Sequence, residues 1–378
     1  MRFIRSFHCM HSSFCIRICY DKTKPRIGVK NVIKIFCTKK LAEMLPEMPK
    51  KCDEPVSTLD KWCVNFISAF HKKVVIAMCA DTGFGFILYG VKKAQFAKLP
   101  ELILQGIRKT FDYYGIRNEI TDDYLSGTPE LFIGADRKET ARLNRLSIDV
   151  SNYFYYEQPS ELMDLSFVRR INHRIVGTAN KDAFIPLERM LEGLETRYNM
   201  KPVCRPAFTM TASMDFGAFE TRRQLTIPVE YTFAEFHKVL QIAFGWKDYH
   251  MYEFLVGENR IACTEDEFDS EPVLAANALL SEYLKEGDTF TYCYDFGDGW
   301  EVSVHVDLLQ ADFDMTHPIC TGCIGAAPPE DVGGVDGFLS FLEIYNNPDH
   351  PKHKEIHEWI GYLWEPEQNI KTINAWLK

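Results

Sequence analysis

Apolar residues recur along this chain with two different periods. Between residues 32 and 91 the runs are short and rich in β-branched and aromatic side chains. Val32–Cys37, Trp62–Phe70, Lys73–Cys79 and Phe84–Val91 therefore read as strands. His71-Lys72 and Asp81-Thr82-Gly83 read as the turns between them. Thr38 is placed to cap a helix over Lys39–Leu45, and Pro46, Pro49 and Pro55 make a loop. From Lys93 to Tyr113 the period lengthens. Phe96, Leu99, Leu102, Ile103, Ile107 and Phe111 fall at helical spacing, with Pro100 marking a kink or a split. A second helix is expected over Arg137–Val150. Residues 151–200 read as helical and polar, and the prolines near Tyr198–Pro206 mark a domain boundary.

Beyond that boundary the strand period returns at Ala207–Phe216 and Arg223–Val229. Thr232-Phe233-Ala234-Glu235 is a capping box, and the helix it opens stacks Phe236, Leu240 and Phe244 before Gly245 stops it. Two hairpins are expected, Tyr249–Val256 with Arg260–Thr264, and Thr289–Asp295 with Trp300–Leu308. Gly337–Tyr345, Lys352–Gly361 and Asn369–Leu377 read as helices. The pattern predicts an α+β chain of two domains: an N-terminal α+β domain over 31–150, a helical linker region over 151–200, and a C-terminal domain over 201–378 built on an antiparallel sheet with packed helices. Residues 1–30 show no period and are expected to be a disordered or spurious leader.

Charge divides the chain. The net charge of −10 conceals a C-terminal half, from Lys201 onward, with 12 basic and 30 acidic residues. That half should repel a phosphate backbone, so nucleic acid is disfavoured as its partner. The excess of basic residues lies in the first 50, with 11 basic and 3 acidic. The 12 cysteines are too dispersed for a disulfide framework and read as reduced thiols in a cytoplasm. No apolar run reaches the length that spans a membrane.

The residues that could carry chemistry cluster late. Tyr294-Asp-Phe-Gly-Asp-Gly-Trp300 and Pro328-Pro-Glu-Asp-Val-Gly-Gly334 concentrate acids, glycines and prolines, which shape surfaces rather than fill cores. Asp295, Asp298, Glu330 and Asp331 are hard oxygen ligands of the kind magnesium and calcium take, and the same residues can close turns. Trp246, His250, Tyr294 and Trp300 complete a candidate cleft, with Trp300 as its floor. Cys320-x-x-Cys323 with His317 has metal-ligand spacing but lacks a second pair. His353 and His357 share a helix face near His350 without the glutamate of a metalloprotease motif. Gly83-Phe84-Gly85 lacks the further glycine and lysine of a phosphate loop and reads as a hairpin turn.

Several motifs in order carry a resemblance: Phe236-His-Lys-Val-Leu-Gln-Ile-Ala-Phe-Gly-Trp246, His250-Met-Tyr-Glu-Phe254, the two acidic loops, and His350–Gly361. The C-terminal domain resembles the plasmid pRiA4b ORF-3-like family, which occurs near mobile elements. The resemblance implies an α+β domain with an antiparallel sheet and no reaction. The N-terminal domain is similar to a bacterial domain family of unknown function. Against the pRiA4b ORF-3-like pattern, Val302 stands where the resemblance implies a histidine, and Ala327 and Val332 where it implies cysteines. The catalytic residues, cofactor and partner are left unknown, with a divalent metal as one candidate cofactor. The expectation is a non-enzymatic binding or interaction module for a protein partner or small ligand. The alternative is a metal-dependent hydrolase, with nucleic acid as one candidate substrate, built on the four carboxylates with His250.

Overall fold

The computed structural model describes residues 31–378 except 55, 135, 157, 178–182, 218, 265–271, 362–363 and 366–367. The leader therefore lies outside the described residues. The N-terminal unit is a five-stranded mixed sheet of Lys34–Cys37 (β1), Lys61–Ala69 (β2), Lys72–Cys79 (β3), Gly85–Tyr89 (β4) and Glu130–Ile133 (β5), in the order β4-β3-β2-β1-β5. β1 runs parallel to both neighbours, while β2, β3 and β4 form antiparallel hairpins.

Period 2 decides how this sheet is buried. Along β3, Val74, Ile76 and Met78 enter one apolar cluster, and Val75, Ala77 and Cys79 enter another. Both faces are covered, which is why the strand is a continuous apolar run. Helix Leu99–Tyr113 covers one face through Ile103, Ile107 and Phe111. Helix Arg137–Tyr153 covers the other through Leu143, Leu146 and Val150. The segment 151–200, expected as a helical linker region, carries helices Ser166–Asn172 and Pro186–Tyr198, and its apolar residues pack on the N-terminal sheet. Phe154, Phe167 and Ile171 belong to one cluster, and Leu187, Met190 and Leu194 of helix Pro186–Tyr198 to the other. Their polar neighbours hide these apolar stripes, so the segment reads as more solvated than it is.

The C-terminal unit is an eight-stranded sheet: Arg205–Asp215 (β6), Glu220–Pro228 (β7), Tyr252–Val256 (β8), Asn259–Ala262 (β9), Val273–Leu274 (β10), Thr289–Tyr294 (β11), Trp300–Phe313 (β12) and Ile319–Ile324 (β13). The order is β10-β9-β8-β11-β12-β6-β7-β13, antiparallel throughout except between β9 and β10. Here one face is dry and one wet. Trp300, Val302, Val304 and Val306 are buried, while Glu301, Ser303, His305 and Asp307 between them are exposed. Helix Phe233–Phe244 lies in the core on the dry face, as do Phe338 and Phe341 of helix Gly334–Tyr345 and Ile373 and Leu377 of helix Ile370–Leu377. The two units meet where Arg117 donates its amide to Pro202 O at 2.8 Å and Cys204 donates to Gly115 O at 2.9 Å.

Two residues test this packing. Gly106 sits mid-helix with the Phe86 ring 2.0 Å from where a Cβ would stand. Alanine in a helix interior ordinarily stabilises by about 1 kcal/mol over glycine. Gly106→Ala should reverse that sign and cost about 1–3 kcal/mol in denaturant melts, because the ring must move; a gain in stability would contradict the packing. His173 lies 6.0 Å from the Tyr114 ring, and burial, with the charges of Arg169 and His317 adding to it, lowers its pKa to about 4. An unfolded histidine titrates near 6.5, so between roughly pH 6.5 and 4 the unfolded chain binds the extra proton. Stability should therefore fall with acidification across that window, and His173→Gln should flatten the slope; an unchanged slope would contradict it.

Candidate metal-binding cleft

The cleft is built from three loops. The first follows helix Phe233–Phe244. Its last turn ends at Gly245, and Asp248 adopts a left-handed φ of 58°. A closed circuit of hydrogen bonds fixes this loop. The Gln241 amide donates to Tyr292 Oη at 3.0 Å, and Tyr292 Oη meets His237 Nδ1 at 2.8 Å. His237 Nε2 meets Asp248 Oδ1 at 2.7 Å, and the Asp248 amide returns to Gln241 Oε1 at 2.8 Å. One tautomer satisfies every member: Tyr292 donates to Nδ1, and Nε2–H donates to Asp248. Burial lowers the His237 pKa against the pull of Asp248, which favours that neutral ring. Tyr252 stacks on the ring at 3.5 Å. Two residues beyond Asp248, His250 is presented to the second and third loops.

The second loop is the turn between β11 and β12. Asp295 takes a left-handed φ of 56°, which aspartate tolerates better than most residues. Its Oδ1 accepts from the Gly297 and Asp298 amides at 3.0 and 3.3 Å, closing the turn. Its Oδ2 remains, 3.5 Å from His250 Nε2. Asp298 points elsewhere: its Oδ2 accepts from the Gly333 amide at 3.1 Å and ties the second loop to the third. Gly334 is required there, because Asp298 O lies 2.7 Å from where a Cβ would stand and φ is +67°.

The third loop supplies Glu330 and Asp331. Glu330 Oε1 accepts from the Lys247 amide at 2.6 Å and from Tyr294 Oη at 3.1 Å, and its Oε2 lies 3.9 Å from His250 Nε2. Burial, with the Glu330 charge adding to it, raises the Tyr294 pKa, so the phenol stays a donor. Asp331, left-handed at φ 57° and exposed, brings Oδ1 to 3.3 Å from His250 Nε2.

His250 Nε2 thus faces three carboxylates, has essentially no accessible surface and makes no directed hydrogen bond. Direct N–H···O bonds are shorter, near 2.9 Å. Ligand atoms around an ion at about 2.1 Å lie about 3.0 Å apart at right angles and about 3.4 Å apart in a tetrahedron. His250, Asp295 and Asp331 bring one ligand atom each within 4.8 Å of one another, the only group of three His, Cys, Asp or Glu to do so among the described residues.

Of the other residues singled out in the sequence, Trp246 and Tyr294 form the wall, stacked at 4.9 Å, with the Trp246 indole donating to Pro328 O at 3.0 Å. Trp300 is not a floor exposed to ligand. It is 1% exposed, packs edge-on to Phe216 and belongs to the core. Cys320 and Cys323 lie on β13 and His317 precedes it. Cys320 Sγ donates to Gly322 O, His317 Nδ1 meets Pro318 O, and the three do not converge. Val302 and Ala327 are buried in the core, and Val332 packs against it. Sequence reasoning missed His237, Gln241 and Asp248. A signal was present for two of them: His237 and Gln241 stand four apart on the helix and fall on its buried side.

The fold and site define an α+β protein whose C-terminal sheet carries a cleft of histidine and carboxylates at one end of a hairpin. That domain places the chain in a family: residues 207–371 match the plasmid pRiA4b ORF-3-like protein family, and the chain belongs to it. Residues 34–189 match a domain of unknown function, DUF6933. The chain is 36% identical over 141 residues to the uncharacterized protein y4hQ of Sinorhizobium fredii, covering 37% of this chain and 73% of that one. It is also similar to the crystal structure of a protein of unknown function, MM3350, from Methanosarcina mazei Go1, at 30% identity over 44% of this chain and 96% of that one, with a TM-score of 0.41. Among the described residues no helix is long and apolar enough to cross a membrane.

Asp298 and Glu330 tie the third loop to the other two, through Gly333 and Lys247. Asp298→Ala and Glu330→Ala should each destabilise, and the double variant should depart from the sum by about 0.5–3 kcal/mol. Strict additivity in denaturant melts would show that the loops are not one unit.

Proposed function

We propose that this chain is a cation-dependent binding module. A divalent ion is held by His250 Nε2, Asp295 Oδ2 and Asp331 Oδ1, with Glu330 beside it. The observation that carries the reading is the enclosed, unbonded His250 nitrogen facing carboxylates at 3.3–3.9 Å. An imidazole nitrogen there offers a lone pair, and two aspartates offer charge to balance a dication. Three protein ligands leave coordination positions open for an oxygen of a ligand or partner. Glu330 and Asp331 also line a groove of about 630 Å³ with Tyr249, Trp359 and Trp376, which gives such a ligand a place to lie. Those three rings are 68%, 47% and 74% exposed, as at many binding surfaces.

The exposed rings of the groove and the open coordination positions support a binding role. The groove beside the cation is what favours the second reading, a metal-dependent hydrolase, in which the ion would activate a water. The acidity of the C-terminal half argues against nucleic acid as the ligand of either. All nine described cysteines are free thiols, which supports a cytoplasmic setting.

Thermal melts of the full chain with manganese, calcium or magnesium and with a chelator test the reading. A cation at one hundred times its Kd should stabilise by about 2.7 kcal/mol. His250→Gln or Asp331→Asn should weaken binding at least tenfold. A melt insensitive to every cation and to chelator would contradict the proposal.

A further inference from the structure

A pair of imidazole nitrogens converges on one of the chain's last helices. His353 and His357 lie one turn apart on helix His353–Ile360, and their Nε2 atoms are 3.1 Å apart. Both rings are half-buried. The His357 ring does not hang free. It stacks on Tyr345 at 4.1 Å with 20° between the planes, and the Tyr345 hydroxyl accepts the Trp364 amide at 2.9 Å. The backbone therefore fixes the tyrosine, the tyrosine fixes the imidazole, and the imidazole aims Nε2 at its neighbour. Preorganisation of that kind lowers the entropic cost of ligation.

An imidazole-only pair has a distinct chemistry. An ion about 2.0–2.1 Å from each nitrogen would subtend about 100° between them, between the right angle of copper or nickel and the tetrahedral angle of zinc. Magnesium and calcium prefer oxygen ligands and gain little from such a pair. We propose that His353 and His357 form a second metal site, bidentate through both Nε2 atoms and selective for zinc, nickel or copper(II). It is separate in residues and in chemistry from the oxygen-rich cleft and does not rest on the reading of that cleft. An ion there would staple one turn of an eight-residue helix, too short to be stable on its own. The same helix carries Trp359 and Ile360 to the wall of the groove, so a transition metal would stiffen one side of that groove.

Titration of the full chain with zinc and with nickel, read by competition with a chromophoric chelator, tests the site. The background is Asp295→Asn with Asp331→Asn, which removes two ligands of the cleft. One ion per chain should bind, and His353→Ala or His357→Ala should each weaken it at least tenfold. Binding should also fade on acidification, because proton and metal compete for the same nitrogens. Hydrogen exchange over 353–360 should slow on adding zinc to the background protein and not to the histidine variants. His353→Ala replaces a half-buried ring at the first helical position, so its fold is to be checked by circular dichroism; His353→Gln, longer and still polar, serves as a second variant. Zinc binding that survives loss of either histidine, or no zinc binding in the background protein, would overturn the proposal.

Discussion

Everything at the cleft depends on one closed circuit of hydrogen bonds. His237, Asp248, Gln241 and Tyr292 each donate and accept within it, and each bond spans different elements: the helix Phe233–Phe244, the loop after it and strand β11. Buried polar groups left unpaired cost about 1–3 kcal/mol apiece, so the circuit is stable only when complete. Completing it fixes Asp248 in a left-handed conformation and thereby places His250 two residues on. The loop could not wander without opening both bonds that hold Asp248.

The same logic runs through the acidic loops. Asp295 spends one carboxylate oxygen on its own turn and keeps the other for the cleft. Asp298 spends its side chain on Gly333 and brings the third loop alongside. Glu330 is held by Lys247 and Tyr294. Structure and chemistry are thus divided atom by atom, not residue by residue. Both converging aspartates, Asp295 and Asp331, occupy left-handed backbone. Such conformations cost of order 1 kcal/mol or more and persist where the surroundings over-determine them. The cleft is consequently a place where backbone strain accumulates beside three carboxylates that face one imidazole.

Much of this fold was legible in the sequence because period 2 and period 3.6 were clean. The runs at Trp62–Phe70 and Lys73–Cys79, the capping box at Thr232 and the hairpin at Tyr294–Trp300 all announce themselves. β5 did not, since Glu130–Ile133 is four residues stabilised by parallel pairing to β1, a partner almost 100 residues away. β13 was hidden by Thr321 and Gly322, where its pairing with β7 slips at a bulge. The acids of the cleft were visible as a composition, but their division of labour was not, because it turns on which oxygen faces which amide. Trp300 illustrates the reverse error: an aromatic between glycine and glutamate suggests a surface, yet the strand alternation that buries Val302 and Val304 buries it too. His237 looked like one polar residue on a helix, and its role appears only once Tyr292 and Asp248 are beside it.

The central claim is that His250, Asp295 and Asp331 converge because they hold a cation. The most direct measurement is a crystal grown with manganese and recorded for anomalous scattering. The account predicts a peak about 2.0–2.3 Å from His250 Nε2, Asp295 Oδ2 and Asp331 Oδ1 together. A map with no peak there, and with the His250 ring turned to donate a direct hydrogen bond to one of the carboxylates, would contradict it.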